Sequence, residues 1–477
     1  MEKLTKAATK AAKSKKTKEP LDGISKIVVE GFKCFASRSE MEIAPLTILA
    51  GANSSGKTSI MQPLLLMKQT LEAPYDAGAL LLNGPNVRFT DFSQLVSRHS
   101  SSDDKLTLTA GLQTPRSSIC LQYVKIPDNK SRHDIHSMLY ATMSSTNEEK
   151  KFTLLPEQPC PELAEFLLSK VSVVIKDKKA WLEAKQSYIK EARVTRSRCF
   201  LDLSPFIFDF GIIDDFNFFV QGVIHLPGLR GEPERNYRRG AIPRAVRRRY
   251  YPRDFYPSSP LSFSGYFMPY VASLVLDWKQ HNDDKIQILN KSLASMSLNS
   301  DIVAEELDDA SIELKISRLP VSDTRQAKII KKKNGISKDH VNIADVGLGV
   351  SQALPIIVAL LAASEGQIVY IEQPELHLHP RAQIGLAKIL VDAANRGVRV
   401  VAETHSSLLL LAIQTLVANG TISPDIVRLH WFQLDVNGSA SIDTAKLDSK
   451  GRYGDWPEDF GDMDLRAQDA YLRATGY

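Results

Sequence analysis

Long apolar runs are scarce in this sequence. The longest, such as Leu354–Ala363 and Leu408–Ile413, fall far short of the roughly 18 residues that a membrane-crossing helix needs. No membrane span is therefore expected. Cysteine is sparse as well: Cys34, Cys120, Cys160 and Cys199 lie 39 or more residues apart, without the close pairs that zinc sites and redox motifs use. They are expected as reduced thiols. Excess charge is missing outside the N-terminus. Residues 1–19 carry seven Lys and two Glu, a charge of +5 that equals the formal net charge of the whole chain. Basicity is thus a property of the tail, and the rest of the chain is balanced. That tail has no apolar core for a secretory signal, so a cytoplasmic location is expected. Its Lys, Ala, Ser and Thr cannot bury apolar surface, and it is expected to be disordered, either touching nucleic acid weakly or having no partner. No repeat of fixed period is visible, which disfavours solenoids and propellers.

What is present is a chain of 477 residues with 43% apolar and 24% charged side chains, enough to bury a large core in one composite domain or two. Ile24–Gly31 and Arg38–Ile43 read as short alternating strands, and Leu46–Ala50 as a buried one. The last runs directly into Gly51-Ala52-Asn53-Ser54-Ser55-Gly56-Lys57-Thr58, which satisfies the pattern G-x-x-x-x-G-K-[ST]. Ser59 follows, in a helix that begins at Lys57 and carries Ile60, Leu64, Leu65, Leu66 and Leu71 at helical spacing. The glycines let the backbone curl until successive N–H groups, with the helix N-terminus, hold the β- and γ-phosphates of a nucleotide. Lys57 adds charge and Thr58 a Mg²⁺ ligand, so ATP and Mg²⁺ are the expected cofactors.

Lys105–Leu112 and Ser118–Ile126 suggest an antiparallel layer, and residues 161–194 switch to a helical period. Between Arg230 and Arg253 nine Arg stand against Glu232 and Glu234 alone, interleaved with Tyr237, Tyr250, Tyr251 and three prolines. Two readings stay open for this segment: contact with nucleic-acid phosphates and bases, or a salt-bridge face at a surface or interface. Arg230 and Arg235 are expected to be structural or close to the nucleotide.

From about Ile312 strands return, then a Gly-rich turn, an apolar helix, a strand at Gln367–Ile371, a helix and a strand at Val398–Ala402. That alternation signals a parallel α/β sheet. The run Ile-Val-Tyr-Ile-Glu-Gln-Pro-Glu-Leu-His-Leu-His-Pro at 368–380 ends an apolar strand on Glu372. A lone carboxylate there needs a cation, and Glu372 is expected to hold Mg²⁺ through its water shell. The later strand ends at Glu403-Thr404-His405-Ser406, which places His405 near the same sheet edge.

In this order of motifs the chain resembles the ABC-type ATPases of SMC, Rad50 and RecF proteins. Asp345-Val346-Gly347-Leu348-Gly349-Val350-Ser351-Gln352 and Glu372-Gln373-Pro374-Glu375-Leu376-His377-Leu378-His379-Pro380 resemble more closely the overcoming-lysogenization-defect and AAA15/AAA21 ATPases. Many of those serve anti-phage defence, as the ATPase subunits of Septu and PARIS systems do. The resemblance implies an α/β head formed by N- and C-terminal lobes, with a mixed helical and antiparallel middle section. The expected bounds are a tail at 1–23, a first lobe at 24–110, an inserted region at 111–340, a second lobe at 341–440 and an extension at 441–477.

The same resemblance makes residues 345–352 the signature segment that reaches the γ-phosphate bound to an opposite subunit, and so implies a homodimer or higher homo-oligomer bridged by ATP. Gly347 and Gly349 then permit close backbone approach, while Ser351 is expected to open a helix at Gln352–Ala363 and offer its hydroxyl and free N–H groups to an anion. His405 corresponds to the switch histidine, Gln94 is a candidate metal-touching glutamine, and His377 and His379 fall within the Leu-His-Leu-His-Pro signature rather than a zinc site. Gln373 stands where the family's water-polarising acid usually lies. Glutamine occurs there in some relatives and is also a substitution that traps such sites with ATP. It orients water but accepts no proton, so hydrolysis is expected to be slow unless Glu375, Glu403 or a partner group substitutes. Such ATPases often carry a nuclease domain after the core, for which the residues beyond 440 are too few.

Three functions remain open: an ATP-gated sensor or scaffold that recognises a phage component or DNA and controls a separate effector, a RecF-like DNA-repair clamp, and a signalling NTPase. The first fits the motifs best.

Overall fold

The computed structural model describes residues 22–98, 106–126, 133–143, 148–170, 178–204, 212–240, 242, 263–298, 301–317, 340–454 and 462–475. The basic tail up to residue 21 lies outside them, as do Arg244, Arg247, Arg248, Arg249 and Arg253 of the Arg-rich segment.

The strand before the glycine loop, Leu46–Gly51, is buried at every position. Burial on both faces is what a central parallel strand requires. It lies inside a six-stranded sheet whose order is Ile224–Leu226, Ile368–Glu372, Arg399–Glu403, Leu46–Gly51, Val427–Leu434 and Ala440–Ala445. All neighbours are parallel except the last pair. Two pieces more than three hundred residues apart in sequence therefore complete one sheet. The edge strand Ile224–Leu226 comes from the region expected as an insertion.

Side-chain alternation along these strands divides the core in two. Leu46, Ile48 and Ala50 point into a core shared with the helices Leu348–Ala362, Pro380–Asn395 and Ser407–Ala418. Leu49, Tyr370 and Val401 point to the other side, against Ile60 and Leu64 of the helix Lys57–Glu72 and against a second sheet. That second sheet is antiparallel and six-stranded, in the order Ser39–Glu42, Lys26–Glu30, Thr107–Gln113, Ser117–Lys125, His133–Met143 and Glu149–Leu154. It draws on both the first lobe and the inserted region, and the boundary placed at 110 falls within one of its strands. A smaller sheet joins Tyr237–Arg238, Ser311–Ser317, Ile302–Glu306 and His340–Asn342. The helical stretch is two helices, Pro161–Lys170 and Lys178–Glu191.

The helix after the loop is anchored by a buried cation. Lys68 pairs with Glu72 and donates to the carbonyls of Phe263 at 2.9 Å and Gln221 at 3.2 Å, so the charge is matched where water cannot reach it. Among the described residues no helix is long and apolar enough to cross a membrane.

One boundary differs in a way that bears on function. The helix expected to open at Gln352 begins at Leu348, with Gly347 as its N-cap. Ser351 therefore lies inside the first turn, and its hydroxyl donates to the Leu348 carbonyl at 2.9 Å. The glycines start the helix instead of preceding it.

Candidate functional site

Between Gly51 and Thr58 the chain turns from strand to helix with three residues at positive φ: Gly51 at 140°, Ser54 at 63° and Gly56 at 105°. Glycine is required twice here. A Cβ on Gly51 would lie 2.2 Å from the Phe432 carbonyl oxygen, and one on Gly56 2.8 Å from Cys34 Sγ. The loop is thereby wedged between its neighbours. Lys57 folds back and donates to the carbonyls of Gly51 at 3.0 Å and Ala52 at 2.6 Å. Burial lowers its pKa, with Glu403 and Glu375 opposing the shift. Ser55 is buried, and its hydroxyl oxygen has no hydrogen-bond partner among the described residues. An orphaned hydroxyl in a loop that leads into a helix N-terminus fits a phosphate ligand.

The acid facing Thr58 is Glu403. The Thr58 hydroxyl donates to its carboxylate, 2.8 Å from Oε2 and 3.0 Å from Oε1, and the Tyr370 hydroxyl donates to Oε2 at 3.2 Å. Burial raises the Glu403 pKa against the pull of Thr58 and Lys57. Glu372 ends the next strand out and faces another set of partners. It accepts from His225 Nε2 at 3.1 Å and from the Gly228 N–H at 3.0 Å. Burial acts to raise its pKa, but His225, Gly228 and Arg230 together hold it below the ordinary value.

Glu375 accepts the main-chain N–H of His405 on Oε1 at 2.8 Å. Its Oε2 is buried without a well-formed hydrogen bond among the described residues, and burial raises its pKa. Burial and nearby Lys57 both lower the pKa of His405. Gln373 holds a left-handed backbone, φ 42°, fixed by its N–H donating to the Glu403 carbonyl at 2.8 Å. Gln373, Glu375, His405, Glu372 and Glu403 thus gather at one end of the parallel sheet with Lys57 and Thr58.

Other expected residues lie elsewhere. Gln94 is exposed on a single 3₁₀ turn, Phe92–Gln94, and bonds to the main chain and hydroxyl of Thr90 just before it. Gly347, Gly349, Ser351 and Gln352 form the first turns of their own helix, where Gln352 donates to the Gly231 carbonyl at 2.9 Å. His379 caps the helix Pro380–Asn395 by accepting from the Arg381 N–H.

Of the supporting groups, Arg230 was expected to be structural or close to the nucleotide, whereas the role of His225 was not foreseen. His225 stacks on Tyr370, with ring centroids 5.3 Å apart and planes 9° apart, while its Nδ1 lies 3.2 Å from Asn86 Oδ1. Arg230 is buried, and burial lowers its pKa to about 10. It donates to the carbonyls of Glu372, Gln373 and Pro227. A histidine inside the apolar run Val223–Leu226 was the available signal.

Two family models match the sequence. One, described as "AAA ATPase domain", covers residues 23–198; the other, described as "AAA domain, putative AbiEii toxin, Type IV TA system", covers residues 279–412. The first holds the phosphate loop and the second the signature helix, both acid strands and His405. The chain is a P-loop ATPase of the AAA15/AAA21 group. No curated protein matches this ATPase. Among solved structures, the SMC head domain of Thermotoga maritima shares 10% identity at a TM-score of 0.32, covering 88% of this chain and 98% of that one. The Smc head with a coiled coil and joint from Pyrococcus yayanosii shares 10% at 0.41, covering 94% and 100%. The Pyrococcus furiosus Smc head bound to the C-terminal domain of ScpA shares 8% at 0.37, covering 94% and 100%. These are distant likenesses.

Proposed function

We propose that this ATPase is an ATP-gated homo-oligomeric sensor or scaffold in anti-phage defence that controls a separate effector. One observation carries the oligomeric part. Gly347 has an ordinary φ of −62°, and a Cβ placed on it meets nothing within 4 Å. Backbone strain does not call for glycine there, nor does packing among the described residues, and beyond the preference of a helix N-cap for glycine over alanine the bare backbone leaves room for another molecule to approach. The first N–H groups of the helix Leu348–Ala362 lie at this point, with Leu348 44% exposed. A second subunit's nucleotide phosphate has the chemistry to meet them. The defence part is supported by the resemblance of the signature and acid-strand motifs to anti-phage ATPases. It is supported too by the second family's description, which names a toxin and a type IV toxin–antitoxin system.

Within one subunit, the loop N–H groups and Lys57 bind the phosphates. Thr58, Glu372 and Glu403 are hard oxygen donors of the kind Mg²⁺ takes, and they would hold that ion with ATP. When bound, the ion neutralises charge between the β- and γ-phosphates. Gln373 orients the attacking water without accepting its proton, and Glu375, made more basic by burial, accepts that proton instead. Turnover on this account is slow, and the ATP-bound state is long-lived.

A DNA clamp finds less support. Of the four described arginines in the basic segment, Arg230 is bound to main-chain carbonyls, Arg235 pairs with Asp345 at 2.6 Å and Arg239 with Glu306 at 3.0 Å, which leaves Arg238 exposed on its short strand.

Light scattering of the full chain with and without ATP tests the proposal. An increase in mass with ATP that Lys57→Ala abolishes is expected, and a mass unmoved by ATP overturns it. ATP must also bind more tightly to the assembled form, because the coupling is reciprocal.

A further inference from the structure

We propose that His225 is a positioning residue for Glu372, holding its carboxylate in the orientation in which it takes the hydrated cation of the bound nucleotide. The inference rests on the reading of this chain as an ATP-binding protein with Glu372 at its cation.

Strand register puts the histidine there. The edge strand Ile224–Leu226 pairs in parallel with Ile368–Glu372, His225 lying opposite Tyr370 and Leu226 opposite Ile371. The His225 and Tyr370 rings stack with centroids 5.3 Å apart and planes 9° apart, so the imidazole lies flat against the strand two residues before its acidic end. Its neighbours Ile224 and Leu226 are buried apolar side chains, and its own side chain is 2% exposed. An apolar ring would fill that space as well. What histidine adds is two nitrogens, and both face oxygen: Nε2 lies 3.1 Å from Glu372 Oε1, and Nδ1 lies 3.2 Å from Asn86 Oδ1.

The acid needs such a partner. A glutamate carboxylate stands on rotatable bonds with several staggered wells. Here one oxygen is met by His225 and the other by the Gly228 N–H at 3.0 Å, which fixes both the rotamer and the plane of the carboxylate. Each oxygen has about two lone-pair sites, so one on each stays open to the water shell of a cation.

Asn86 carries this fixation back to the phosphate loop. Its main-chain N–H donates to Gln69 Oε1 at 3.2 Å, and the Val87 N–H donates to the same oxygen at 3.0 Å. Gln69 lies on the helix Lys57–Glu72, which begins with Lys57 and Thr58. One helix therefore sets the phosphate end of the site directly and the acid end through Gln69, Asn86 and His225. Removing a partner that orients a metal-holding group costs metal affinity by about ten- to a hundredfold.

The test uses Mn²⁺ as the probe for Mg²⁺, counting free Mn²⁺ by electron paramagnetic resonance in the presence of a non-hydrolysable ATP analogue. Nucleotide binding without metal is measured separately with a fluorescent ATP analogue in EDTA. His225→Phe keeps the ring and its stack but removes both nitrogens, whereas His225→Gln gives up the ring and keeps a donor near the place of Nε2. His225→Phe is expected to bind the fluorescent analogue in EDTA as wild type does, yet to lose Mn²⁺ affinity about tenfold, while His225→Gln stays within about threefold of wild type. If the ring serves packing alone, the order reverses: wild-type Mn²⁺ affinity in His225→Phe overturns the proposal, and so do equal losses in the two variants. Should His225→Phe not fold, Asn86→Ala leaves the ring in place and releases Nδ1; a loss of about threefold in Mn²⁺ affinity with binding in EDTA intact is then expected, and unchanged affinity overturns the proposal. Wild-type Mn²⁺ affinity in Glu372→Gln, or a wild-type chain that binds no nucleotide with or without metal, overturns the underlying reading of the site, which is a different result.

Discussion

Arg230 donates to the main-chain carbonyl of Glu372 at 3.0 Å and, through its other terminal nitrogen, to that of Gln373 at 3.2 Å. One buried guanidinium therefore fixes the turn at which the acid strand leaves the sheet. Arg230→Ala leaves those carbonyls unpaired and removes a positive charge beside Glu372 and Glu375. A stability loss of about 3 kcal/mol is expected, read as a lower denaturation midpoint. Arg230→Lys recovers only part of it, because an ammonium cannot span two carbonyls as a planar fork does.

Lys57 is predicted to act on nucleotide and on the empty loop in opposite directions. Lys57→Ala abolishes ATP binding in calorimetry because the phosphates lose their cation. It also frees the carbonyls of Gly51 and Ala52 that Lys57 satisfies, so the nucleotide-free protein melts at a slightly lower temperature. A variant that still binds ATP would refute the assignment of the loop.

Turnover and pH report on Glu375. Its pKa is raised by burial, and as a base it works only when deprotonated. ATP hydrolysis is thus expected to fall as pH drops through a pKa above the ordinary 4.5, and Glu375→Gln removes that acid limb along with most of the rate. The sign for stability is the reverse: the folded state holds this proton more tightly than the unfolded one, so Glu375 costs stability as pH rises through the same window.

Gln373→Glu is the complementary change. It places a proton acceptor on a backbone already held in position by the Glu403 carbonyl, and hydrolysis is expected to rise about a hundredfold. An unchanged rate in a phosphate-release assay would show that water activation does not limit turnover.

Gly347→Ala separates assembly from binding. With open space around Gly347 among the described residues, a methyl group costs the monomer only the small preference of a helix N-cap for glycine over alanine and leaves its ATP affinity unchanged, while the ATP-dependent gain in mass is lost. If the alanine variant assembles as wild type does, the outward role of the signature turn is wrong.

The phosphate loop was legible because its chemistry is local: glycines, lysine and hydroxyl stand on consecutive residues. The central strands were legible as apolar runs, and their ends came within a residue or so. Strand order was not, since pairing between segments such as 46–51 and 399–403 leaves no local mark. The sequence pointed to Glu372 as the metal acid, on the rule that a lone strand-end carboxylate needs a cation, but it did not show that Glu403, at the same end of the sheet, accepts from Thr58. Glu372 is not lone, because His225 reaches it from a three-residue strand too short to read. The start of the signature helix was misjudged because glycines read as turn residues, whereas Gly349 lies inside the helix.

Because the loop strand Leu46–Gly51 finds its sheet neighbours only at 399–403 and 427–434, the order of synthesis matters. A ribosome adding 5–20 residues per second needs roughly 20–70 s to deliver the first of them. Through that interval an apolar strand and the loop it feeds have no sheet to join, although the antiparallel sheet from Lys26 to Leu154 can already form. The nascent chain is exposed to misfolding for much of its own translation, and nucleotide can stabilise it only once the last third has emerged.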